Sequence, residues 1–297
     1  MSEPLVLVAG ATGRLGFQIC EVLLSRGSRV RALVRVTSDP GRIGKLRELG
    51  ADVVVGDLER PETLPAAVRG ASAVVTTASS FPLDERPDAI DRMERAGSIN
   101  LVDAAAASGV ERFVYTSFWE IVPDFPFQQA KRAVEARLAA SGLTYTVLRP
   151  ASFMEVWFSP LLGFDLAAGK ATVYGDGTEP LTWISTSDVA RFAVWAIDAE
   201  RARNATIDLG GPEALSQLEV IALHEELAEK TLARSRLTLD ALEEMYADAA
   251  APRERSLAAV MLNVAHGGSR DMRELCGASG IHLTSAQEFA ARQLATA

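Results

Sequence analysis

The earliest chemistry-bearing cluster in the chain is Gly10-Ala11-Thr12-Gly13-Arg14-Leu15-Gly16. An apolar run leads into it and a helical pattern leads out, which is the setting a phosphate-cradling turn requires. Gly10 permits a tight turn off a strand. Gly13 lets backbone N–H groups approach a pyrophosphate with no Cβ between, and Gly16 lets the next helix lie close on the sheet. The start of that helix would offer N–H donors and about half a positive charge to a phosphate. The plain alternative is a tight strand–helix turn that holds no ligand.

The second cluster concerns which dinucleotide such a turn would hold. An NAD site places a carboxylate about 20 residues downstream, on the ribose 2′-hydroxyl. Here the second apolar run ends Leu33-Val34-Arg35, and no carboxylate follows until Asp39. Arg14 lies in the glycine loop itself. Two guanidiniums suit a 2′-phosphate through forked, charge-assisted bonds, so the spacing favours NADP(H) over NAD(H). The alternative is that both are surface arginines, in a chain whose 30 basic residues include only four lysines.

These residues need elements to hold them. Apolar, β-branched runs stand at Leu5–Ala9, Val30–Val34, Ala51–Val55, Ala73–Thr77, Arg112–Thr116 and Tyr145–Leu148. Helical stretches between them stop at Gly27, Gly50, Gly70, Gly109 and Gly142, where glycine supplies a left-handed end. Continuous rather than alternating runs mean strands covered on both faces. The expected fold is therefore α/β: a doubly wound parallel sheet built by residues 1–155 and completed by 182–212. A smaller, mainly helical cap would use 156–181 and 213–297, with no strand signal after Gly211.

The 297 residues, 48% apolar and 23% charged, are those of a globular protein rather than a disordered chain. A net charge of −9 argues against a nucleic-acid partner held through phosphates. Two cysteines make no disulfide framework, and three histidines leave no metal motif; His224-Glu225-Glu226 lacks a second histidine one turn on. No run reaches the length of a membrane span, and Met1-Ser2-Glu3-Pro4 carries no basic leader. A cytoplasmic protein acting on a small molecule is the expectation.

Taken together, GATGRLG (10–16), LVR (33–35), GDL (56–58), FVYTS (113–117), AKRAVE (130–135), VLRPASFME (147–155) and WISTSDVA (183–190) resemble the short-chain dehydrogenase/reductase superfamily. The order and wording are those of its atypical NmrA-like branch, which implies a Rossmann-type fold. By that resemblance Thr12 and Leu15 belong to the cofactor loop, and Asp57 and Leu58 flank the adenine. Thr77, Ala78 and Ser79 line the cofactor, Lys131 reaches the nicotinamide ribose, and Pro150 and Phe153 lie beside the nicotinamide. The superfamily's proton donor is a tyrosine four residues before a lysine. No such pair exists in this chain, and Phe127 stands where the tyrosine belongs.

The resemblance thus implies an NADPH-dependent reductase for a quinone, enone or carbonyl acceptor, with Lys131 and Ser117 as candidate catalytic residues. As the alternative it admits a non-catalytic NADP(H)-sensing module that binds a protein partner. Eleven of the 19 aromatic residues fall between Phe113 and Phe164. Phe118, Trp119, Met154, Trp157 and Phe158 could line an apolar substrate slot, or could be ordinary core under the C-terminal helices. The Ala-rich run 103–108 is a region that in this family packs on a second subunit, which keeps a homodimer open.

Overall fold

A computed structural model of the chain describes residues 4–295. In chain order its first elements are β1 (Leu5–Ala9), α1 (Arg14–Ser25), β2 (Arg29–Val34), α2 (Pro40–Glu48), β3 (Asp52–Val55), α3 (Leu64–Val68) and β4 (Ala73–Thr76). A π-helical segment, Ile90–Gly97, runs straight into α4 (Ser98–Ala107). Then come β5 (Arg112–Thr116), α5 (Pro126–Ala139), β6 (Thr144–Pro150), β7 (Ser152–Phe153), α6 (Met154–Trp157), β8 (Phe164–Asp165) and β9 (Lys170–Tyr174). The chain continues through β10 (Leu181–Ile184), α7 (Thr186–Asp198), β11 (Ala205–Leu209), β12 (Ala214–Leu215), α8 (Gln217–Ala228) and β13 (Ala233–Leu237). Four helices close it: α9 (Leu239–Asp248), α10 (Pro252–His266), α11 (Arg273–Ser279) and α12 (Ala286–Ala295).

The described residues divide into two units. The first comprises the described part of 1–118 together with 126–149 and 189–207; the second has 119–125, 150–188 and the described residues from 208 onward. In the first unit the sheet order is β11-β6-β5-β4-β1-β2-β3, and β1 pairs in parallel with both β2 and β4. Strand order reverses between β1 and β4, so the loops after these two strands border a crevice at the sheet's carboxyl edge. The runs of the inner strands β1, β4 and β5 end up buried on both faces, where Leu7, Val74, Phe113 and Tyr115 pack with Leu101 of α4 and Leu138 of α5, whereas β3 lies at the sheet edge with Val55 exposed. Gly27, Gly50, Gly70, Gly109 and Gly142, which end the intervening helices, all have positive φ. This is the Rossmann-type fold.

The second unit holds two three-stranded sheets, β12-β10-β7 and β13-β9-β8. Residues 150–155, 182–188 and 208–212, expected with the large sheet, lie here because β7 and β10 pair with each other instead of extending it. Residues 119–125 join them. Strands β12 and β13 also depart from the expectation of helices alone after Gly211. Four of the five residues of β13 are exposed, so it rests on parallel hydrogen bonding to β9 and carries no apolar pattern. No described helix is long and apolar enough to cross a membrane.

Candidate functional site

The glycine loop leaves β1 at Gly10, whose φ of +80° excludes most side chains. A Cβ there would sit 2.8 Å from Ala78 N and Thr77 Oγ1, and one at Gly16 would run into the Gly10 carbonyl. Gly13 donates its N–H to Gly10 O at 2.9 Å and then caps α1 with no side chain over the helix start. The chain is thus folded back on itself around bare backbone.

That loop is one wall of a cleft of about 210 Å³. The lining takes Gly10, Thr12 and Gly13 from the loop after β1, Arg35 and Ser38 after β2, and Asp57 and Leu58 after β3. Thr77, Ala78, Ser79 and Ser80 come from the loop after β4. Arg35 is exposed at the rim, in a turn closed by its N–H on Ser38 Oγ (3.0 Å) and by Ser38 N on its carbonyl (3.0 Å). Asp39 is occupied in capping α2, accepting from Gly41 N and Arg42 N. Asp57 Oδ1 accepts from Glu59 N at 3.0 Å. Arg14 is exposed, Leu15 half-buried and Gly16 buried, all three outside the lining.

Lys131, on α5, is 3% exposed, and its ammonium lies 2.8 Å from Oε2 of the wholly buried Glu94. Burial opposes the charge on Lys131, but Glu94 and Tyr115 outweigh it and raise its pKa above the ordinary lysine value. Burial likewise pushes the Glu94 carboxyl up, yet Lys131 and the donors from Ser80 and Ser79 hold it below the usual range. Tyr115, with its ring 5.3 Å from the ammonium, is pushed up to about 12 by burial. The ring of Phe127 also faces the ammonium, centroid at 5.1 Å. Phe81 stacks on Phe127 at 4.5 Å, and Phe118 meets it edge-on at 5.3 Å. Phe81 and Phe118 are each half-buried while Phe127 is buried, so Phe81 and Phe118 carry the exposed part of this apolar edge.

Ser117 is buried at the end of β5 and donates to Glu135, which is also paired with Arg132 (2.7 Å) and Arg149. The remaining aromatic candidates are in the second unit. Met154, Trp157 and Phe158 are buried there, and Phe158 packs against Phe164, Trp183, His224 and Phe289. The cavity beside them measures about 20 Å³, room for a single water. Trp119 is buried under the Arg270 guanidinium at 4.6 Å. Pro150 is buried at the end of β6 and Phe153 half-buried in β7. The structure therefore brings Phe118 to Phe127, whose ring faces Lys131, and buries Met154, Trp157 and Phe158.

Glu94, Ser80, Ser38 and Phe81 escaped the reading of the sequence. Only Glu94 had a signal: it falls with Ile90, Met93 and Gly97 on one buried face, where a carboxylate needs a partner.

The NmrA-like family profile matches residues 2–282. The photosystem II assembly factor Ycf39 of Trieres chinensis is 30% identical over 240 residues, which cover 79% of this chain and 72% of that protein. The NAD(P)H azoreductase of Xenophilus azovorans is 29% identical over 241 residues, 80% of this chain and 78% of the other. In structure the chain is similar to an Escherichia coli NADPH-dependent quinone oxidoreductase complexed with NADPH. The TM-score is 0.78 at 21% identity, over 97% of this chain and 99% of that one, a likeness of fold. The chain belongs to the NmrA-like family.

Proposed function

We propose that this protein is an NADPH-dependent reductase whose acceptor is a flat, apolar molecule of quinone, enone or carbonyl type. The observation that carries the reading is the cleft at the β1–β4 reversal, with bare glycine backbone at one end and Arg35 at the rim. Those features fit NADP(H): no Cβ obstructs the pyrophosphate turn, and the first carboxylate along the chain after β2, Asp39, is committed to a helix cap. NADPH, when bound, supplies the hydride.

The chain's own residues divide the rest of the work. The backbone of Gly10–Gly13 holds phosphate, Arg35 and Ser38 take the 2′-phosphate with Arg14 nearby in sequence, and Asp57 and Leu58 flank the adenine. Phe127 has no proton to give, and Lys131 is held protonated against Glu94. Solvent is then the proton source, and the protein contributes position. The edge formed by Phe81 and Phe118 over the buried Phe127 offers apolar aromatic surface for the acceptor to pack against. Lys131 and Ser117 act by holding α5 and β5 in place around that face.

NADPH oxidation against a panel of quinones, enones and aryl ketones tests this. Turnover with at least one member is expected; none with any member rejects the reductase. A second reading has one specific support, the relative named as an assembly factor at 30% identity. There the chain would bind NADP⁺ and NADPH with different affinities, turn nothing over, and pass that difference to a protein partner.

A further inference from the structure

Glu94 does more than neutralise Lys131. While Oε2 faces the ammonium, Oε1 accepts from Ser79 Oγ (2.8 Å), Ser80 N (2.6 Å), Ser80 Oγ (3.1 Å) and Phe81 N (3.2 Å). Ser79 and Ser80 are cleft wall, and so is Met93, the residue before Glu94. Phe81 is the ring stacked on Phe127. One buried carboxylate thus reaches the cleft wall, the aromatic edge and the ammonium.

A buried ion pair is weak as a stability device, because desolvation of both charges offsets most of their attraction. Its place here argues for another use. Glu94 lies in the π-helical segment Ile90–Gly97, an irregular turn of a kind that recurs at functional sites. That segment carries Met93 to the cleft and turns the next side chain inward. We propose that Glu94 is the positioning residue of the cofactor cleft. It clamps the loop after β4 against α5, so that the wall for the dinucleotide and the face for the acceptor are set together. The consequence for ligands rests on the NADPH reading above; the clamp itself does not.

Glutamine at this position separates the two roles, since an amide has a single oxygen. Whichever way it turns, an NH₂ faces either the loop donors or the Lys131 ammonium. In E94Q we expect the Ser80 and Phe81 amides of the cofactor-free protein to exchange with deuterium roughly tenfold faster, and the NADPH Kd to rise about tenfold or more. In E94Q/K131M the ammonium is gone, and the amide oxygen can turn to the loop. Loop exchange should then return to within about threefold of the unmodified rate.

A merely structural pair would lower Tm in E94Q and leave both readouts unmoved. Folded E94Q with loop exchange and NADPH Kd within about twofold of the unmodified protein overturns the proposal. So does fast exchange with an unchanged Kd, because the clamp would then not serve the cleft. Should E94Q not fold, E94D carries the same test. It keeps the charge but is one methylene too short to span both partners, so fast exchange and weak binding are expected and unchanged values overturn. If the unmodified protein binds no NADPH, the reductase reading falls on its own, and exchange alone decides whether Glu94 holds the loop.

Discussion

Phe127 and Lys131 sit four residues apart on α5, where a tyrosine and a lysine would make a proton donor, and the phenylalanine removes it. Beside Phe127 stands instead the ion pair of Lys131 with Glu94, whose carboxyl is held below and whose ammonium partner is held above its ordinary value. Glu94 has a folded pKa below its unfolded value, so its contribution to stability is present above about pH 4.3 and is lost as pH falls through the folded pKa. Lys131 has a raised folded pKa, so its contribution is present below about pH 10.4 and is lost as pH rises through the folded value. Denaturant titrations should therefore show no limb from this pair between about pH 5 and 9. Lys131→Met strands a buried carboxylate and should cost about 3–5 kcal/mol at pH 7, with much of the loss recovered in E94Q/K131M. A loss under about 1 kcal/mol would mean the pair opens to water. Arg35, in the cleft lining, gives the other single-residue test. In Arg35→Ala, calorimetry should show the NADPH preference over NADH collapse, on the order of 10²-fold, through loss of charge-assisted phosphate contacts.

At the scale of elements, the glycine-loop junction between β1 and α1 was readable because each glycine answers a local demand: a positive φ at Gly10 and a Cβ-free approach at Gly16. Strands β1 and β5 were equally plain, since the apolar runs Leu5–Ala9 and Arg112–Thr116, bounded by turn residues, admit few other readings. β13 was invisible because Ala233–Leu237 buries almost nothing and is held by backbone pairing. The aromatic enrichment between Phe113 and Phe164 left a substrate slot and ordinary core both open, because composition has no direction. Phe118 turns toward Phe127, whereas Trp157 and Phe158 join Trp183 and His224 in the second unit's core. Phe158→Ala should accordingly lower stability by about 3–5 kcal/mol in denaturant unfolding. The acceptor KM of the folded variant should stay put. A raised KM with intact stability would return Phe158 to the substrate face.

For the molecule as a whole, the test is whether the cleft binds at all. Saturation with NADPH at 100 times Kd should stabilise the fold by about 2.7 kcal/mol, read as a rise in Tm of a few degrees. No rise at any NADPH concentration would contradict the cofactor reading. What the amino-acid sequence determined by itself was everything encoded locally: the strand–helix alternation, the glycine turn, and the missing carboxylate and missing tyrosine. Those are statements about neighbours along the chain, where period and spacing carry the physics. The partner of Lys131 was decided only by the tertiary structure. Glu94 lies 37 positions away and meets it because α5 packs on the π-helical segment, while the loop after β4 closes over the same carboxylate. A buried charge finds its counter-charge through packing, and no spacing rule along the chain reports that meeting.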